Sequence, residues 1–225
     1  MQTSVLQQSR SDDTVRKLRK DITQGTLEAG TLLAEAAVAR QLGVSRVPVR
    51  EALFTLEREG LVEFSPTGRA YVKALVPHDF EELFLLRLSL EPPAARLAAP
   101  ILRANSHQLA MNIDATSRAK TLLDVTHLDL DFHQLIMEAS GQTRMVKIWR
   151  SLRSEMELWL ARMHSALQAR TKATRQMTVD AHSKTLACIQ TESPAAVERM
   201  CKQHIQGWRD WLPAAEINGR FEANA

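Results

Sequence analysis

Cysteine and glycine are scarce in this chain, and no run of 18 or more apolar residues occurs in its 225 positions. Two cysteines, Cys188 and Cys201, cannot make a disulfide framework, so they read as free thiols of a reducing compartment. The missing apolar run excludes a transmembrane helix, and Met1 to Ser11 is polar, without the apolar core of a secretory signal. A soluble, cytoplasmic protein is expected. Glycine is absent between Pro77 and Ser140, and strand-like alternation is absent there too, which leaves a long helical region. Charge of one sign is also lacking. The formal net charge is +3, too small to decide a partner. What is present is 44% hydrophobic residues, enough for two modest cores.

The densest local signal lies between Glu35 and Val72. Leu32, Leu33, Ala36, Ala37 and Leu42 recur at helical spacing, which predicts a short helix over 35–42, and Gly43 follows where a helix end wants a left-handed residue. Ser45 is placed to cap a second helix, and Pro48 falls in its first turn, where a missing N–H costs little. Val49, Leu53 and Leu56 then face inward, while Arg46 and Arg50, four apart, project from the opposite side. Arginine suits that place because its planar fork binds phosphate or guanine O6/N7 through two hydrogen bonds. Gly60 ends the helix. Leu61-Val62-Glu63-Phe64 and Ala70-Tyr71-Val72 read as strands around the turn Ser65-Pro66-Thr67-Gly68. Two helices across a tight turn, followed by a hairpin, describe a winged helix-turn-helix that reads double-stranded DNA. Arg16, Lys17, Arg19 and Lys20 on a preceding helix, with Arg40, are placed to contact phosphates.

Beyond Pro77 the apolar residues recur at three and four, and helices are predicted over 79–99, 106–120, 125–140, 144–167, 171–191 and 194–212. Pro92-Pro93 is expected to kink or break the first, and Pro100 to end its continuation. The fold class is thus mostly α: a winged helix-turn-helix with a small β wing, then an all-helical antiparallel bundle of six or seven helices. The expected division is a disordered arm at 1–11, a DNA-binding domain at 12–75, a helical domain at 76–213 and a flexible tail at 214–225. In the bundle, Asp129 and His133 share a helix face, and His182 and His204 lie on two further helices. One carboxylate and three imidazoles suit a divalent transition metal such as zinc, nickel or manganese. Asp131 is the rival carboxylate, but its spacing of two from His133 points it to another side of the helix. Trp149, Trp159, Trp208 and Trp211 read as core or dimer-interface residues, and His107, His127 and His164 show no spacing that assigns them chemistry.

Residues 13–74, with Leu42-Gly43-Val44-Ser45-Arg46-Val47-Pro48-Val49-Arg50-Glu51-Ala52-Leu53 followed by Leu56-Glu57 and Glu59-Gly60-Leu61-Val62, resemble the N-terminal domain of the GntR family of bacterial transcription regulators. Asp129-Leu130-Asp131-Phe132-His133-Gln134 with Ala139-Ser140-Gly141, and Arg87-Leu88-Ser89-Leu90-Glu91, are similar to the central and opening motifs of the FCD domain, the helical partner in one large GntR subfamily that resembles FadR. The resemblance implies DNA contacts from Arg46 and Arg50, with Ser45, Val47, Pro48, Arg40, Gly68 and Arg69 around them. The wing departs from the usual order, which sets the arginine before the glycine. It also implies a metal held by Asp129, His133, His182 and His204, and a small carboxylate effector bound beside it. Arg87 is the first choice to hold that carboxylate, or else the ion-pair partner of Glu91 or Asp79; Arg150 and Arg153 are further choices. A homodimer on a pseudo-palindromic operator follows, because one reading head makes too few base contacts, and most relatives so built are repressors. The rival expectations are a metal-dependent hydrolase and a regulator for which the metal itself is the signal.

Overall fold

The computed structural model describes the backbone of residues 2–74 and 76–209 and the side chains from residue 10 onward. The chain divides into two compact units, Met1–Leu75 and Val76–Ala225. The expected tail and Trp211 lie outside the described residues.

In the first unit α1 (Gln2–Thr23) packs on α3 (Arg46–Arg58), α2 (Glu35–Leu42) crosses α3, and β1 (Val62–Phe64) pairs antiparallel with β2 (Ala70–Val72). Val15, Leu18 and Ile22 of α1 meet Val49, Ala52, Leu53 and Leu56 of α3 in the core. The arm expected over 1–11 is therefore corrected: α1 runs back to Gln2. No glycine or proline occurs before Gly25, so nothing stops a helix nucleated on the buried turns from propagating toward the N-terminus. Gly43 is left-handed at φ 66°, and its N–H closes the end of α2 on the Ala39 carbonyl. Ser45 is extended at the start of α3, but its side chain makes no capping bond, so backbone conformation alone starts that helix. The strand expected from Leu61 begins one residue later; Leu61 N–H bonds instead to the Leu56 carbonyl as α3 ends. A third extended segment flanks β2 through Leu33 N–H to the Ala70 carbonyl at 2.8 Å and Val72 N–H to the Thr31 carbonyl at 3.0 Å.

Among the described residues the second unit is seven helices: α4 (Pro77–Ala104), α5 (His107–Arg118), α6 (Leu122–Ala139), α7 (Thr143–Ser151), α8 (Arg153–Thr171), α9 (Thr174–Thr191) and α10 (Pro194–Arg209). Helix α4 runs through Pro92, Pro93 and Pro100, contrary to the expected breaks. Each internal proline costs roughly 3 kcal/mol of helix propensity. Against that cost, Phe84, Ala94, Ala95, Ala98, Ala99 and Leu102 are buried against the bundle, and α10 lies along the same helix, so tertiary packing holds the strained segment helical. A second correction concerns 144–167, which divides at Leu152 into α7 and α8. Thr121 and Asp124 form a reciprocal capping box that fixes where α6 begins. Cys188 and Cys201 are free and buried in the bundle core, where burial pushes both thiols up. No described helix is long and apolar enough to cross a membrane.

Candidate DNA-reading surface and buried histidine centre

The first α3 turns carry the exposed cations. Arg46, Val47 and Arg50 are exposed, as is Arg40 on α2. Arg50 forms a two-pronged pair with Glu35, Nε to Oε1 at 2.7 Å and Nη2 to Oε2 at 2.9 Å, and that hydrogen-bonded pair, with Arg46 nearby, holds the Glu35 carboxyl below its ordinary range. An exposed pair of this kind is weak, so the fork is available for exchange onto phosphate or a base. Pro48 is corrected as a contact residue: it is buried with Val49 and shapes the helix from behind. In the hairpin, Gly68 has φ 75° and donates to the Ser65 carbonyl at 2.8 Å; an added Cβ would meet nothing within 4 Å, so backbone conformation is what asks for glycine here. Arg69 follows, exposed at the tip. On α1, Arg19 is taken up by Glu59 at 2.9 and 2.6 Å, Lys17 by Asp21 at 2.6 Å and Arg16 by Asp13; Lys17 and Lys20 are both exposed.

The second centre is buried. Donor atoms of His133, His182 and His204, from α6, α9 and α10, all lie within 4.8 Å of one another. His133 Nε2 is 3.1 Å from His204 Nε2 and 3.6 Å from Asp129 Oδ1, and His182 Nε2 is 3.8 Å from the same Oδ1. Donors held about 2.1 Å from one ion stand about 3.4 Å apart in a tetrahedron and about 3.0 Å apart at right angles, so these separations match a coordination sphere. Both Asp129 oxygens and both His182 nitrogens are buried without a formed hydrogen bond. Such orphans are costly and rare unless something else satisfies them, and a divalent cation would. The four residues fit a metal.

Electrostatics prepares them for it. Burial, reinforced by His133, holds the His182 imidazole down to about 3 and the His204 imidazole well below its ordinary range, so both present neutral lone pairs at neutral pH. Burial alone would raise the Asp129 carboxyl; His164, His182 and His133 outweigh it and keep the group ionised. His182 is also stacked on Phe132, ring centroids 3.9 Å apart, which fixes its plane.

Around these residues lies a shell that spacing did not assign. Glu91, 1% exposed, stands 2.7 Å from His133 Nδ1, so that nitrogen donates and Nε2 is left to face the other histidines. The same carboxylate accepts from Arg87 Nε at 2.5 Å and Nη2 at 3.0 Å and from Trp149 Nε1 at 2.9 Å. Burial opposes its charge, but Arg87 and His133 hold it well below the usual carboxylate range. Arg87 takes the alternative role expected of it, pairing with Glu91, and its guanidinium lies 3.4 Å above the Trp208 ring. The i,i+4 spacing of Arg87 and Glu91 was the available signal for this pair; its approach to His133 from another helix had none. His164 sits beside Asp129, with Nε2 3.5 Å from Oδ2. Trp149, Trp159 and Trp208 are core residues. The structure does not bring Arg150 or Arg153 to the histidines. Arg150 pairs with Glu138 at 2.6 Å, and Arg153 with Gln134 and Asp131 at 2.6 and 2.5 Å, on the outer side of α6. Both guanidinium groups are satisfied there, which also removes Asp131 from the centre.

A family model of bacterial regulatory proteins of the gntR family matches residues 10–72, and one of the FCD domain matches residues 82–207. The chain belongs to the GntR family. Its helical unit is an FCD domain, and it is a DNA-binding regulator, not an enzyme, which sets aside the hydrolase expectation. This GntR regulator is 28% identical to the HTH-type transcriptional repressor RspR of Escherichia coli K12 over 195 residues, covering 85% of this chain and 83% of the relative. It is 28% identical to the gluconate operon transcriptional repressor of Bacillus subtilis over 200 residues, 86% and 81% of the two chains. In fold it resembles a solved GntR regulator from Rhodococcus sp. RHA1, at a TM-score of 0.75 and 21% identity over 92% of this chain and 99% of that one.

Proposed function

We propose that this GntR regulator is a homodimeric repressor acting in the cytoplasm, and that a small organic acid binding beside a divalent metal in the FCD domain modulates its grip on a pseudo-palindromic operator. The observation that carries this reading is the largely buried cluster of His133, His182 and His204, with Asp129 beside His133 and His182, whose donor separations match a coordination sphere. When bound, the metal supplies a Lewis-acidic anchor for a carboxylate. Arg87 supports the effector half: Glu91 takes Nε and Nη2, while Nη1 is buried without a hydrogen-bond partner, a donor left for an entering acid. Leu86, Leu97 and Ile101 form an exposed stripe on α4 that suits pairing of two copies, and the repressors among its relatives support the sign of regulation.

An effector shifts DNA binding only by as much as it prefers one arrangement of the protein over another. The test is fluorescence anisotropy on the regulator's own upstream DNA, with a panel of small mono- and dicarboxylic acids, each with and without chelator. One acid is expected to release the DNA only while metal is retained. DNA binding that tracks free metal and ignores every acid would make the metal itself the signal; indifference to both would end the sensing role of this domain.

A further inference from the structure

Asp129 is a carboxylate with two faces. Oδ1 looks toward His133 and His182, at 3.6 and 3.8 Å, while Oδ2 looks toward His164 Nε2 at 3.5 Å. His164 comes from α8, which supplies none of the three clustered imidazoles, and it is wholly buried. Its other nitrogen, Nδ1, is 2.9 Å from Thr126 Oγ1 on α6, and its backbone carbonyl accepts from the Thr174 hydroxyl of α9 at 3.3 Å. Imidazole, backbone and hydroxyl contacts therefore hold this ring from two helices.

Proton accounting makes the arrangement a directed chain. A neutral imidazole has one N–H and one lone pair. If Thr126 donates its hydroxyl hydrogen to Nδ1, then Nε2 carries the ring proton and points it at Oδ2. Thr126 also reaches the Leu122 carbonyl at 2.9 Å, so its one hydrogen is shared between a helix carbonyl and the ring. At 3.5 Å, Oδ2 and Nε2 face each other as buried polar atoms without a formed hydrogen bond, so closing that gap as Oδ1 turns onto an ion satisfies both and presents the remaining oxygen to the histidines. Outer partners of this kind tune ligands in known metal centres, usually from a carboxylate to a ligating imidazole. Here the order is reversed, because an imidazole steadies the carboxylate.

We propose that His164 is a positioning residue of the metal centre: through Nε2–H to Oδ2 it orients Asp129 so that Oδ1 meets the ion, and Thr126 sets its tautomer. This rests on the metal reading given above.

The variants are His164→Ala, His164→Gln and Thr126→Val in the full chain. Zn(II) affinity would be measured by competition with a chromophoric chelator, coordination by the visible spectrum of the Co(II)-loaded protein, and folding by the melting temperature of the metal-free forms. H164A is expected to weaken zinc binding about 10- to 100-fold, with the Co(II) band intensity of the wild type preserved. H164Q, which keeps an N–H at about the same reach, should recover most of the loss, and T126V should weaken binding in the same direction by less. If H164A does not fold, the T126V and H164Q pair still decides. Undiminished affinity in H164A while the wild type binds zinc overturns this role alone. A Co(II) spectrum that reports a lost ligand overturns it too, by making His164 a ligand. Absence of metal binding by the wild type removes the metal reading itself, and this one with it.

Discussion

The two units handle charge in opposite ways. In the first, Arg46, Arg50 and Arg69 stand exposed on a helix start and a hairpin, held at most by a weak surface pair such as Glu35–Arg50. In the second, Arg87, Glu91, Asp129, His133 and His182 are buried within a few ångströms of one another with His204 half-buried beside them, and each depends on the others to be there. A surface that must meet a polyanion keeps its cations hydrated and exchangeable. Buried ionic groups must instead be satisfied by partners, which makes the second site a single cooperative object. All seven histidines of the chain lie in the second unit, His78 being the first, so acid acts on the two halves unequally.

The largest effect that separates the halves should come from Glu91→Ala. Removing this carboxylate leaves the Arg87 guanidinium buried without its charge partner and His133 without its acceptor, a loss of about 3–5 kcal/mol from the helical unit. Calorimetry should show that unit melting early while the winged unit's transition stays in place. A coincident fall of both transitions would mean that the two units share one folding equilibrium.

Arg46→Ala and Arg50→Ala should do the reverse, each lowering DNA affinity about 10- to 100-fold and leaving the helical unit's melting and zinc binding unchanged. Titrating each variant against specific and random duplexes sharpens the comparison further. An equal loss on both duplexes would mark that arginine as a phosphate contact and not a base reader.

The smallest effect is in pH. His182 titrates near 6.5 when unfolded and is held down to about 3 when folded, and His204 is lowered in the same sense. Between those values the unfolded chain carries the protons, so stability is fully present above about pH 6.5 and is lost as pH falls. The slope is at most about 1.4 kcal/mol per pH unit for each histidine. Chemical denaturation of metal-free protein at pH 7.0 and 5.5 should show the loss in the helical unit. The winged unit, which contains no histidine, should be nearly level over the same range.

Legibility followed the same division. Helix 35–42, the left-handed Gly43, the two exposed arginines and the Ala70–Val72 strand depend on neighbours within a few residues, so their spacing was enough. Even there, Ser45 makes no side-chain cap and Pro48 turns inward, since backbone conformation and core packing settle what spacing only permits. In the bundle the Asp129 and His133 pair was readable because four residues make one helical turn. What spacing could not show was Glu91 behind His133 or His164 behind Asp129, for those partners come from α4 and α8. The unbroken passage of α4 through three prolines was equally hidden. Local propensity argues against it, and only burial against α10 and the remaining helices overcomes that cost.

By itself, then, the sequence determined the reading head, the order of elements and which residue types were available as ligands, because each depends on periodicity and short-range backbone preference. Tertiary structure alone decided which charges would be buried together. Convergence of side chains from α4, α6, α8, α9 and α10 is a property of how helices pack, and that packing sets both the neutrality of His182 and His204 and the ionisation of Asp129.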